Sequence, residues 1–143
     1  MGRMSCLFCV RRLVLWVCWL AWPVAPAWAA APLRCEVTYA GATQAVLAWP
    51  VQDPYAVPSV DIRGRFLFKA VVVGRPAAIE RINLYVYQHT GAQPVLLQHA
   101  KYLPPFARSG TGDPVSLTGQ QHVYAGPMER ELIYHCTLEG GAP

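Results

Sequence analysis

Downstream of residue 32, apolar and polar side chains alternate in short runs that prolines and glycines interrupt. A period of two marks strands that lay one face on a core. Cys35, Val37 and Tyr39 share one face of a first predicted strand, and Gly41-Ala42 turns it into a second, Thr43 to Trp49. Pro50 to Pro58 holds three prolines and reads as an irregular crossover. Arg65 to Val73 is apolar on both faces in its second half, as expected of a strand covered on both sides. In the next run Ile82, Leu84 and Val86 alternate with Asn83, Tyr85 and Tyr87. Ile79, Ile82 and Val86 also fit a helical stripe, but the aromatic and β-branched content assigns a strand.

Pro94 to Leu103 makes a further strand, with Val95 and Leu97 on one side and Leu96, Ala100 and Tyr102 on the other. Pro104-Pro105 ends it, because neither residue has an N–H to give to a ladder. Phe106 to Asp113 comes next, and Ser109-Gly110-Thr111-Gly112 within it is the best candidate for a mobile loop. Val115 to Thr118 and Gln120 to Tyr124 are short strands, and Glu129 to Leu138 closes the chain with Leu132, Tyr134, Cys136 and Leu138 facing inward together.

Seven or eight short strands with little room for helix predict an all-β fold. The expected form is an antiparallel β-sandwich, Ig-like in general architecture, with a closed barrel as the alternative. Cys35, Trp49, Tyr134 and Cys136 follow the cysteine, tryptophan and Tyr-x-Cys order of immunoglobulin domains, and in these four residues the chain resembles that family. The resemblance goes no further. Immunoglobulin domains carry a strand before the first cysteine and another after the second, and too little chain flanks Cys35 and Cys136 here to supply them. The expectation is a generic sandwich without family membership.

The first 29 residues read differently. Arg3, Arg11 and Arg12 precede an apolar run from Leu13 to Leu20, and Ala27-Trp28-Ala29 places small residues where a signal peptidase reads them. The run is too short to span a bilayer, which takes about 20 residues, and Pro23 and Pro26 interrupt the segment after it. Residues 1–29 are therefore expected to be a cleaved signal peptide and residues 30–143 a single domain, exported to the periplasm or secreted, with no stable membrane anchor after cleavage. Arg11-Arg12 also forms a twin-arginine pattern, and Cys18 lacks the small-residue box of a lipoprotein signal. The alanine-rich leader, with Asn83 the only asparagine and in no glycosylation acceptor, fits a bacterial periplasmic protein.

Removing the leader changes the composition. Four of the five Trp and three of the five Cys go with it, leaving Trp49, Cys35 and Cys136. Three of the twelve Lys and Arg go as well, so nine face eight Asp and Glu and the formal charge falls from +4 to +1. Nothing in that balance points to nucleic acid. In an oxidising compartment the only two cysteines are expected to pair, tying the first strand to the last.

Candidate chemistry is sparse. His89, His99, His122 and His135 show neither the His-x-His nor the His-x3-His spacing that sets two imidazoles on one side of an element, and Met128 would be the only soft addition. Ser59, Ser109 and Ser116 lie in no nucleophile elbow, and Glu129 and Glu131 suit a solvated strand edge better than acid and base duty. Gly110 and Gly112 lack the lysine and helix of a phosphate cradle. The expectation is a protein with no catalytic residues, no metal and no cofactor, serving as a binding or structural module of the cell envelope, with another envelope protein as the candidate partner. Tyr85, Tyr87 and His89 on one face, with Tyr102 and Phe106 at a strand end, are the candidate partner-binding residues, since tyrosine joins apolar area to a polar tip. The alternative is a metal-handling or enzymatic domain whose site gathers the scattered histidines.

Overall fold

The computed structural model describes residues 33–76, 78–107, 113–126 and 130–139. Among them are ten strands and no helix: β1 (Leu33–Tyr39), β2 (Ala42–Ala48), β3 (Pro50–Val51), β4 (Val60–Ile62), β5 (Phe66–Arg75), β6 (Ala78–Gln88), β7 (Val95–Tyr102), β8 (Val115–Ser116), β9 (Gln121–Ala125) and β10 (Arg130–Leu138). The predicted leader, the 109–112 loop, Met128 and Glu129 lie outside the described residues.

Two sheets pack face to face as the expected β-sandwich. In the first, β10 lies between β1 and the short pair β8 and β9, and β2 forms the far edge. In the second, β5, β6 and β7 form a meander, with β3 and β4 both on the outer side of β5. Only β3 runs parallel to its neighbour. The strand count exceeds the expected seven to eight by β3 and β4, two and three residues long and too short for alternation to register, whereas β8 falls within the short strand expected over Val115 to Thr118. The crossover is correspondingly less irregular than its prolines implied: Pro50 and Val51 pair with Val72 and Val73.

The β1–β2 turn falls at Ala40-Gly41, one residue earlier than expected, with φ of 49° and 76°. Two positive values in succession make the mirror-image turn whose twist matches that of the strands it joins. Between β5 and β6 the ladder slips at Val73/Gly74, where Gly74 adopts φ +131°. A Cβ there would stand 2.4 Å from the Ala78 carbonyl oxygen, so the position admits only glycine.

The core is built from the inward rows: Leu33, Val37, Leu132 and Tyr134 from the first sheet against Phe66, Phe68, Ile82, Leu84 and Val86 from the second. Aromatic contacts span the layers, Phe68 with Tyr134 and Tyr39 with Phe66, each at 5.2 Å between ring centres. The buried Tyr134 hydroxyl donates to Gln98 Oε1 of β7 at 3.0 Å, which satisfies it. Burial, and then the nearby Tyr102 phenol, push its pKa up to about 12.

Cys35 and Cys136 are bonded, and they are directly opposed partners on adjacent strands rather than a bridge between sheets. The backbone explains how they meet. The Cys136 N–H donates to Thr118 Oγ1 and its carbonyl accepts from Leu117 N–H, so both groups point away from β1. Cys35 and Cys136 therefore form a non-hydrogen-bonded pair, the closer of the two antiparallel arrangements, with Cα atoms 4.0 Å apart. Trp49, which an immunoglobulin domain would pack on its bridge, is 51% exposed. The cysteine–tryptophan order is coincidental.

One expected facing is corrected in β7. The β6–β7 register shifts between Val86 and Tyr87, so Tyr87 opposes Leu96 while Val86 opposes Gln98. Leu96 is thereby turned outward and exposed, away from Ala100 and Tyr102, and Leu97 packs against the core.

Candidate ligand-binding face

The outward side of the second sheet gathers aromatic, amide and cationic side chains. Because β5, β6 and β7 pair in register, alternation along each strand becomes rows across the sheet: Lys69, Tyr85 and His99 form one row, and Val71, Asn83 and Lys101 the next. Arg81 lies two residues beyond Asn83 on β6, opposite Val73. The crossover after β3 brings Pro54 and Tyr55 over this side, and together these residues line a shallow depression of about 410 Å³. The apolar second half of β5 is thus accounted for. Val71 points away from the core yet is only 1% exposed, as the two-sided pattern predicted.

The aromatic groups are stacked. Tyr85 and His99 lie with ring centres 4.4 Å apart and planes 5° from parallel, and Tyr87 continues the row at 6.2 Å and 17°. Faces turned toward each other leave edges and polar atoms to meet a ligand, and ring edges carry partial positive charge. His99 Nε2 lies 3.4 Å from Asn83 Oδ1, and Asn83, at 7% exposure, is the only buried polar side chain among the described residues. Burial, and then the Tyr85 phenol, raise the Tyr87 pKa above the ordinary tyrosine value. Lys69, Arg81 and Lys101 surround this row, and among the described residues no acidic side chain lines the depression. Two carboxylates touch lining residues from outside it: Asp53 Oδ1 accepts from the Tyr55 N–H at 2.9 Å, and Glu80 Oε2 lies 4.0 Å from Arg81.

The five residues singled out from sequence do not share one surface. Tyr85 and Tyr87 belong to the face just described, and His89 lies at its end with Nδ1 3.4 Å from Asp61 Oδ1. Tyr102 and Phe106 instead pack against the core and line a separate depression of about 210 Å³ with Leu117 and Leu138. Sequence reasoning missed Lys69, Arg81, Asn83, His99, Lys101 and Tyr55. The alternation in β6 already set Asn83 beside Tyr85 and Tyr87, but only register brings the neighbouring strands' lysines and histidine to them.

The four histidines stay apart. His122 Nδ1 is 2.6 Å from Glu131 Oε1, His135 Nδ1 is 3.9 Å from Glu36 Oε2, and His89 and His99 have the partners given above. Tyr124 also donates to Glu131, and the hydrogen bonds from His122 and Tyr124 lower the Glu131 pKa. Among the described residues, no three of His, Cys, Asp and Glu gather as a metal-binding group.

No protein-family model, curated protein or solved structure matches this chain. Geometry alone therefore speaks for its function.

Proposed function

We propose that this protein is an exported, non-catalytic binding module of the cell envelope, and that the outward side of the second sheet is the surface its partner meets. The observation that carries the reading is the stacked Tyr85–His99 pair ringed by Lys69, Arg81 and Lys101 in a depression that no acidic side chain lines among the described residues. Aromatic groups with a cationic rim are the composition of recognition surfaces. The buried disulfide supports a non-reducing compartment, the setting in which such bonds persist. The basic, apolar and small-residue regions of the first 29 residues support export.

Two measurements test the reading. N-terminal sequencing of the protein recovered from the envelope fraction is expected to begin at Ala30, and an intact N-terminus in the cytosol would refute export. A photo-crosslinking residue at position 96, exposed beside Tyr87 on this face, is expected to form adducts in intact cells that the same residue at position 38, on the outer side of the first sheet, does not form. Equal labelling from both positions would refute the assignment of the face.

A further inference from the structure

We propose that this face takes an acidic saccharide, a sugar bearing carboxylate groups; the inference rests on the reading above and names the class of ligand. Charge comes first. Neither Lys69 nor Lys101 makes an ion pair among the described residues, and they stand two strands and one row apart, roughly 12 Å at the backbone from the usual strand spacing and rise. Cations held that far apart suit negative charge distributed over an extended body better than a single small ion. A depression of about 410 Å³ also exceeds what a bare anion fills.

The groups between the cations define that body. Asn83, Tyr85, Tyr87 and His99 offer amide, phenol and imidazole groups, whereas Val71 and Pro54 are the only aliphatic contributions. A peptide is usually anchored by a large apolar side chain in a pocket, and this depression provides none. A sugar presents hydroxyls in several directions, which matches a floor of mixed donors and acceptors. Tyr55 supplies the remaining element. It stands at the rim 90% exposed, so its ring faces are open, unlike those of the stacked row, and Asp53 Oδ1 fixes its backbone by accepting from the Tyr55 N–H at 2.9 Å. An open phenol ring beside a hydrogen-bonding depression can receive the C–H face of a pyranose.

Calorimetric titration of the oxidised protein distinguishes the outcomes, using a short oligogalacturonate, the uncharged galactose oligomer of equal length, and a glutamate peptide of equal charge. The oligogalacturonate is expected to saturate one site. Lys101→Gln and Lys69→Gln should each weaken it by about tenfold, the order of one charge-assisted hydrogen bond, and Tyr55→Ala by several-fold, all with unchanged melting temperature. Lys101 and Tyr55 are exposed, so their variants retain the fold whatever Lys69→Gln does. Equal binding of the glutamate peptide or of the uncharged oligomer overturns the saccharide assignment, as does no binding by any probe. The crosslinking contrast between positions 96 and 38 leaves Lys69, Lys101 and Tyr55 in place and is independent of these probes, so the docking face and the ligand class fail separately.

Discussion

Reducing the Cys35–Cys136 bond perturbs the unfolded chain far more than the folded one. In the folded protein β1 and β10 are already held by a seven-residue ladder from Leu33↔Leu138 to Tyr39↔Leu132, so the sulfurs join strands that pair without them. In the unfolded chain the same bond closes a loop between residues 101 apart in sequence. A loop of that length stabilises the fold by about 4.7 kcal/mol in the chain-entropy model, against a typical net stability of about 5–15 kcal/mol. With a urea dependence of about 1.5 kcal/mol per molar, the unfolding midpoint should fall by about 3 M on reduction. Parallel urea titrations with and without dithiothreitol, followed by circular dichroism, measure the shift. Cys35→Ala/Cys136→Ala should lose somewhat more, because both side chains are also fully buried. A shift below about 0.5 M would refute the reasoning, since it would mean that the denatured chain keeps its ends together without the bond. So would two titratable thiols in the denatured, unreduced protein.

Two further outcomes concern the backbone and the core. Gly74→Ala should destabilise by about 2–4 kcal/mol, because the side chain meets backbone atoms and the φ is one that L residues avoid; a thermal melt within about 2 °C of wild type, the scale of a few tenths of a kcal/mol, would contradict the bulge geometry. For Tyr134, a folded-state pKa raised to about 12 from 10.0 means that the folded protein holds the phenol proton more tightly than the unfolded chain. That contribution is complete below pH 10 and is lost as the pH rises through about 12. Tyr134→Phe should cost about 1–2 kcal/mol at neutral pH through the hydrogen bond to Gln98 and should flatten the alkaline loss of stability; an unchanged alkaline slope would show that other tyrosines carry it.

The sandwich is legible in the sequence because inward and outward residues alternate wherever only one face meets the core. Period alone places Val37 with Tyr39 and Leu132 with Tyr134, and the cysteines at the two ends of the chain imply a pairing of first and last strands. Legibility fails where the period breaks. The extra residue in β7 at Leu97 reverses Leu96, and a bulge leaves no mark in composition. The short strands β3 and β4 exist only because β5 offers its outer edge to them. The candidate face is half legible for the same reason: Tyr85 and Tyr87 are two residues apart on one strand, whereas Lys69, Tyr85 and His99 meet only through register, which is a property of the whole sheet.

The two outer surfaces of the sandwich handle charge in opposite ways, and this favours the second sheet as the working one. On the first sheet Glu36 faces both Arg34 and His135, Arg34 also approaches Glu139, and Glu131 accepts from His122 and Tyr124. Such exposed pairs contribute little stability individually, but they leave that surface electrostatically matched to itself. On the second sheet Lys69 and Lys101 share a face with Arg81, and only Arg81 has a carboxylate near it. Lys69 and Lys101 stand farther apart at the backbone than a Debye length of about 8 Å, so their mutual repulsion is largely screened and both remain available to a bound anion. Arg63, Arg65, Arg75 and Arg130 also lack ion pairs among the described residues, but they lie in the β4–β5 turn and at the ends of β5 and β10, not together on one face. Lys69 and Lys101 instead share one face with a stacked aromatic row, where a single ligand can reach both. A negatively charged ligand would therefore both be attracted to this face and stabilise the fold, with an effect that declines as salt is raised.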